Sequence, residues 1–108
     1  MSPTRKSRPA RVWVIMHYEF MGARRSPHLD SVQFHVSSSL GKAEKYVREH
    51  HVASHSWWQV HPHLLDDPEL VEGQEVYYYS HRGTRLKTAP WKRARAAFDK
   101  LPDSWIGP

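Results

Sequence analysis

The chain has 108 residues, no cysteine, and 16 Lys and Arg against 11 Asp and Glu, a formal net charge of +5. That length suits one domain able to fold without a disulfide or structural metal, and the missing cysteines exclude a disulfide framework, a thiolate nucleophile and every cysteine-based zinc site. No stretch approaches the roughly 20 apolar residues of a membrane-spanning helix, and no apolar run follows the basic N-terminus as in a signal peptide, so the expectation is a cytoplasmic protein without membrane contact.

Residues 1–10 carry Arg5, Lys6 and Arg8 among serines and prolines, a composition that cannot offset its own ordering entropy. They read as a flexible basic arm, and residues 11–108 as a single α+β domain. From Val12 to Glu19, β-branched and aromatic residues alternate, with Val12, Val14, Met16 and Tyr18 on one side and Trp13, Ile15 and His17 on the other. Apolar character on both sides predicts a central strand. Gly22 to Asp30, with two arginines and a proline, reads as a connecting loop. Val32, Phe34 and Val36 then alternate with Gln33 and His35, which predicts a second strand, antiparallel to the first, with one wet face.

Ser37 to Ser39 offer an N-cap, and Leu40, Ala43, Val47 and His50 follow at helical spacing, with Lys42, Glu44, Lys45 and Arg48 on the outer side. The third strand places Trp58 and Val60 on one face and Trp57, Gln59 and His61 on the other, with Pro62 ending its pairing or setting it at an edge. Residues 66–75 form an acidic loop. Glu75 to Ser80 reads as a fourth strand, aromatic on both sides, and Arg85 to Lys87 as a short fifth. Pro90 suits the first position of a helix in which Trp91, Ala94, Phe98 and Leu101 form an apolar stripe against the sheet. The order is strand, strand, helix, strand, strand, helix: a mainly antiparallel sheet of four to five strands with both helices grouped on one face.

The charges are segregated. Arg82, Arg85, Lys87, Lys92, Arg93 and Arg95 crowd the C-terminal part and Arg5, Lys6, Arg8 and Arg11 the N-terminal end, whereas Asp66, Asp67, Glu69, Glu72 and Glu75 follow one another with no intervening base. Such a layout steers an anionic partner onto the basic residues, nucleic acid first and an acidic protein surface next, and lets two copies attract each other through loop 66–75 and the basic helix. Strand aromatics beside basic runs, Trp57, Trp58, Tyr77, Tyr78 and Tyr79, are the inventory for stacking bases and neutralising phosphates. The bland reading is that half of these aromatics build the core and the bases form a solvated face. No glycine-rich phosphate loop, serine triad or catalytic carboxylate pair stands out, so the expectation is a non-enzymatic accessory or adaptor domain with no resident cofactor.

Histidines are the second constellation. Nine occur in the chain, and His61-Pro62-His63 sets two imidazoles on one strand face, where both reach toward a single divalent metal ion. His50, His51, His55, Asp66 and Asp67 are the residues available to complete such a shell; the bland alternative is that these rings are satisfied by backbone or water. Val60 to Leu65 resembles the metal-binding strand of the histidine-hydrophobe-histidine single-strand DNA nucleases and transposases. That resemblance implies a metal on His61 and His63 polarising a scissile phosphate and a helical tyrosine attacking it. Here proline stands between the histidines, and Tyr46, the one tyrosine on a predicted helix, precedes them. The runs V-x-V-x-x-H-Y-E at Val12 to Glu19 and S-S-x-x-x-K-A-E at Ser37 to Glu44 also resemble small bacterial and phage domains built as strand, strand, helix, strand. This second resemblance implies a fold and no activity.

Overall fold

The computed structural model describes residues 11–23, 25–64 and 76–102. The elements are β1 (Arg11–Ala23), β2 (Ser26–Ser37), α1 (Leu40–Glu49), β3 (Ser56–Leu64), β4 (Tyr77–Tyr79), β5 (Arg85–Leu86) and α2 (Trp91–Asp99). They form the α+β architecture expected, one five-stranded antiparallel sheet in the order β2-β1-β3-β4-β5 with two helices. The basic arm, the acidic loop 66–75 and Glu75 lie outside the described residues.

β1 lies between β2 and β3, as its two apolar sides require. Its pairing with β3 sets Ile15 opposite Val60, His17 opposite Trp58 and Tyr18 opposite Trp57. Adjacent tryptophans therefore belong to opposite faces, yet both are buried. On the Trp58 side, α1 closes the core: Ala43 and Val47 pack with Ile15, Trp58, Val60 and Tyr79. Ser39 caps α1 by accepting a hydrogen bond from the Lys42 amide at 3.2 Å. α2 buries Ala94 and Phe98, neither of which joins that cluster. The Phe98 ring instead lies 6.3 Å from Phe20 and 6.1 Å from His55, and Phe20 in turn lies 6.1 Å from Trp57, which stacks on Tyr18 at 5.6 Å. The two helices thus bury separate clusters, α1 on the Trp58 alternation and α2 beside Phe20 and Trp57.

Of the expected loop at Gly22 to Asp30, Gly22, Ala23 and residues 26–30 are ladder instead. β1 and β2 stay paired to Ala23 and Ser26, beyond the last β3 partner at Glu19, so the hairpin projects past the sheet as a two-stranded ribbon. Gly22, at φ +93°, supplies the left-handed residue beside its turn. Among the described residues β2 has a single strand neighbour, and its apolar residues Leu29, Val32, Phe34 and Val36 are 42 to 50 % exposed, so the strand lacks the dry face that alternation suggested. Pro62 is buried opposite Trp13, and β4 pairs with Trp58 to Val60, so among the described residues no ladder partner on that side needs the missing N–H.

Trp91 departs from the expected apolar stripe. Ala94 and Phe98 are buried, but Trp91 is 53 % exposed. It is the first helical residue, three positions before Ala94, where the burial of α2 begins.

Candidate nucleic-acid interface

The turn between β4 and β5 docks on α1. Ser80 accepts hydrogen bonds from the amides of Arg82 and Thr84 at 3.2 and 3.1 Å, and Gly83 donates to the Ser80 carbonyl at 2.9 Å. Gly83 sits at φ +90°, and a Cβ there would lie 2.7 Å from Arg48 Cα and 3.0 Å from the Val47 carbonyl oxygen. Only glycine fits, and the close approach brings Arg82 against the Arg48 turn of α1. Both arginines line one cleft with Glu44, Tyr79, Thr84 and Arg85.

Within this region the bases divide by partner. Arg85 donates to Glu44 at 2.8 Å, lies 4.3 Å over the Tyr77 ring, and shares Glu44 with the Tyr79 hydroxyl, which donates at 2.6 Å. Arg95 is held by Asp99 at 3.2 Å, one helical turn away. Arg48, Arg82, Lys87, Lys92 and Arg93 have no carboxylate partner among the described residues. Of the bases singled out in the sequence, Arg82, Lys92 and Arg93 are therefore available to an external anion, whereas Arg85 and Arg95 are engaged. Arg5, Lys6 and Arg8 lie outside the described residues. Sequence reasoning missed Arg48, which reads as one more outer-face residue of α1, and no local pattern ties it to a turn more than thirty positions away.

His81 marks where these charges converge. Burial, then Arg82, Arg93 and His51, hold its pKa below the ordinary histidine value. Lys87, Lys92 and Arg93 line a second cleft of about 510 Å³ with Leu86, Thr88, Ala89, Pro90 and the exposed Trp91, whose ring lies 5.7 Å from Lys92 Nζ. α2 has no acidic residue in its first turn and no side-chain cap at Pro90, so its positive end is not neutralised from within.

The histidine pair lies on the sheet face with Val12, Val14 and Met16. His61 and His63 have ring centroids 6.5 Å apart, and the His61 Nε2 accepts from the Gln59 amide at 3.2 Å, whose oxygen in turn accepts from the Trp57 indole at 3.0 Å. Burial, with His63 beside it, lowers the His61 pKa. His50 donates to the Tyr46 carbonyl at 2.7 Å, and His55 to Glu19 at 2.8 Å, so neither is brought to the pair. Among the described residues, no group of three or more histidines and carboxylates is arranged to hold a metal ion. Asp66 and Asp67 lie outside them.

A polar group that sequence reasoning did not single out is His17, Glu19 and His55. One Glu19 oxygen accepts from His55 and the other lies 4.0 Å from His17 Nε2. His17 packs between Phe34 and Trp58, at 5.1 and 5.3 Å. Burial lowers its pKa, Glu19 partly restores it, and His55 opposes. The signal in the sequence was the two-residue step from His17 to Glu19, which shares a strand face.

His17, His61 and His81 are thus all shifted down on folding, so the unfolded chain takes up protons at a pH where the folded one does not. Their contribution to stability is full above about pH 6.5, the ordinary histidine value, and is lost as the pH falls through the lower folded values. The melting temperature is expected to be lower at pH 5 than at pH 7.5, and His17→Gln to reduce that difference. An unchanged melting temperature across this range contradicts the assignment.

Among the described residues no helix is long and apolar enough to cross a membrane. Compared with protein-family models, with curated proteins and with solved structures, the chain finds no match.

Proposed function

We propose that this chain is a non-enzymatic adaptor that binds an anionic macromolecule, nucleic acid in the first place, through the face formed by Arg48, Arg82, Lys87, Lys92 and Arg93. The observation that carries this reading is that two clefts, one lined by Arg48 and Arg82 and the other by Lys87, Lys92 and Arg93, hold five cations without a carboxylate partner among the described residues, with Arg82 and Arg93 both acting on His81. Clustered like charges raise the energy of the folded chain, and a polyanion repays that cost by releasing its own counterions. Nearby acids are spent elsewhere: Glu44 on Arg85 and Tyr79, Asp99 on Arg95.

Salt dependence tests the reading. Each phosphate neutralised on a single strand contributes about 0.7 to the slope of log affinity against log salt, so four to five contacts give a slope of about −3. Anisotropy titrations of a labelled random oligonucleotide at stepped salt concentrations measure it. Absence of binding at low salt removes the proposal.

A further inference from the structure

We infer that the polyanion held on this face is single-stranded nucleic acid, with one unpaired base stacked on Trp91 and the flanking phosphates on Lys87, Lys92, Arg93 and Arg82. The inference rests on the basic-face reading above and specifies its ligand.

Trp91 is where the argument starts. It is the most exposed large apolar side chain described, at 53 %, and the other described tryptophans are buried or half-buried. Packing among the described residues does not account for it, because α2 anchors through Ala94 and Phe98 while residues 91–93 stay exposed. Its surroundings are cationic: Lys92 Nζ lies 5.7 Å from the ring, and Lys87 and Arg93 line the same cleft. An exposed indole ringed by cations offers what a single strand needs, a flat face for a base and charges for the phosphates on either side. The cleft, at about 510 Å³, falls in the range of small-molecule sites, roughly 300 to 1,000 Å³, and so admits one base.

Duplex fits this arrangement less well. Its bases are stacked on one another, so Trp91 would meet only phosphate and sugar edges, and the indole would add nothing to affinity. An acidic peptide supplies the charge without the repeated aromatic faces. Lys92, now over the indole, is near enough to exchange that contact for a phosphate when a base takes its place.

Full-length protein and its Trp91→Ala and Trp91→Phe variants, each checked for an unchanged melting temperature, are titrated with a labelled oligothymidylate. A duplex of the same length and a polyglutamate of the same charge serve as comparisons. The oligothymidylate should bind more tightly than the other two. Trp91→Ala should weaken it about tenfold, Trp91→Phe less than threefold, and neither should change duplex binding. Part of the intrinsic tryptophan fluorescence should be quenched on adding the single strand to the wild-type chain, and that quenching should be absent in both variants. Equal affinity for duplex or polyglutamate, or a Trp91→Ala variant that binds the single strand as tightly as wild type, overturns the inference while leaving the basic-face reading standing. Failure of all three ligands to bind at low salt overturns both.

Discussion

Replacing Phe98 with alanine should unfold the protein or leave it barely stable. The ring is 2 % exposed and is the large buried anchor of α2, joined in that role only by Ala94. It touches Phe20 and His55, so it ties the helix to β1 and to the start of β3 at once. Truncating a buried phenylalanine to alanine costs about 3 to 5 kcal/mol, through lost transfer energy and the cavity left behind. Small domains are stable by roughly 5 to 15 kcal/mol, so the loss takes a large share. Thermal melts of Phe98→Ala and Phe98→Leu, the latter retaining most of the volume, measure it. A melting temperature for Phe98→Ala within a few degrees of wild type would show that α2 is not held by this contact.

Reversing the unpaired charges should have the opposite profile. Arg82, Lys92 and Arg93 are exposed, with no carboxylate partner among the described residues. Surface changes of this kind usually stay within about 0.5 kcal/mol. Two of the three new glutamates would stand in the first turn of α2, where negative charge favours the helix and no acid now sits. The triple variant Arg82→Glu, Lys92→Glu, Arg93→Glu should therefore melt within a few degrees of wild type. Its affinity for a single-stranded oligonucleotide should fall by roughly 100-fold or more, since three attractions become three repulsions. Arg95→Ala supplies the control: that side chain is already bonded to Asp99, so binding should change by less than about twofold. A folded triple variant that binds as well as wild type would reduce the basic cluster to a solubilising face.

From sequence, Lys92, Arg93 and Arg95 are equivalent outer-face bases of one helix. In three dimensions Arg95 finds Asp99 one turn along, while Arg93 has no carboxylate partner among the described residues and its charge, like that of Arg82, acts on His81. Arg85 likewise reads as part of the basic run, yet Glu44, on α1, takes its charge. Ion pairing between distant segments depends on docking, and no local pattern encodes it.

The alternation of short-range pattern was enough to place much of the core. Trp57 and Trp58 stand on opposite faces because a strand turns successive side chains apart, and Ala43 with Val47, or Ala94 with Phe98, meet the sheet because four residues make about one helical turn. Ser39 was recognisable as a cap because its side chain answers an amide three residues away. The antiparallel pairing of β1 with β2 followed from the same local regularities.

What only tertiary structure decided were the matters that depend on partners far apart in the chain. Gly22 and Pro27 look like loop residues, but residues 26–30 continue the ladder because the other strand satisfies their backbone groups and the turn between the two is tight. Which sheet cluster each helix buries, and that Trp91 stays exposed while Ala94 and Phe98 are buried, depends on how α2 docks against β1 and β3. The approach of Arg82 to Arg48 required Gly83, whose missing side chain lets one turn lie against the backbone of α1. Composition and periodicity thus determined the elements, their buried sides and the excess of positive charge. Long-range packing determined which of those charges remained unpaired and beside which aromatic ring, because a charge is neutralised by whatever is near it in space.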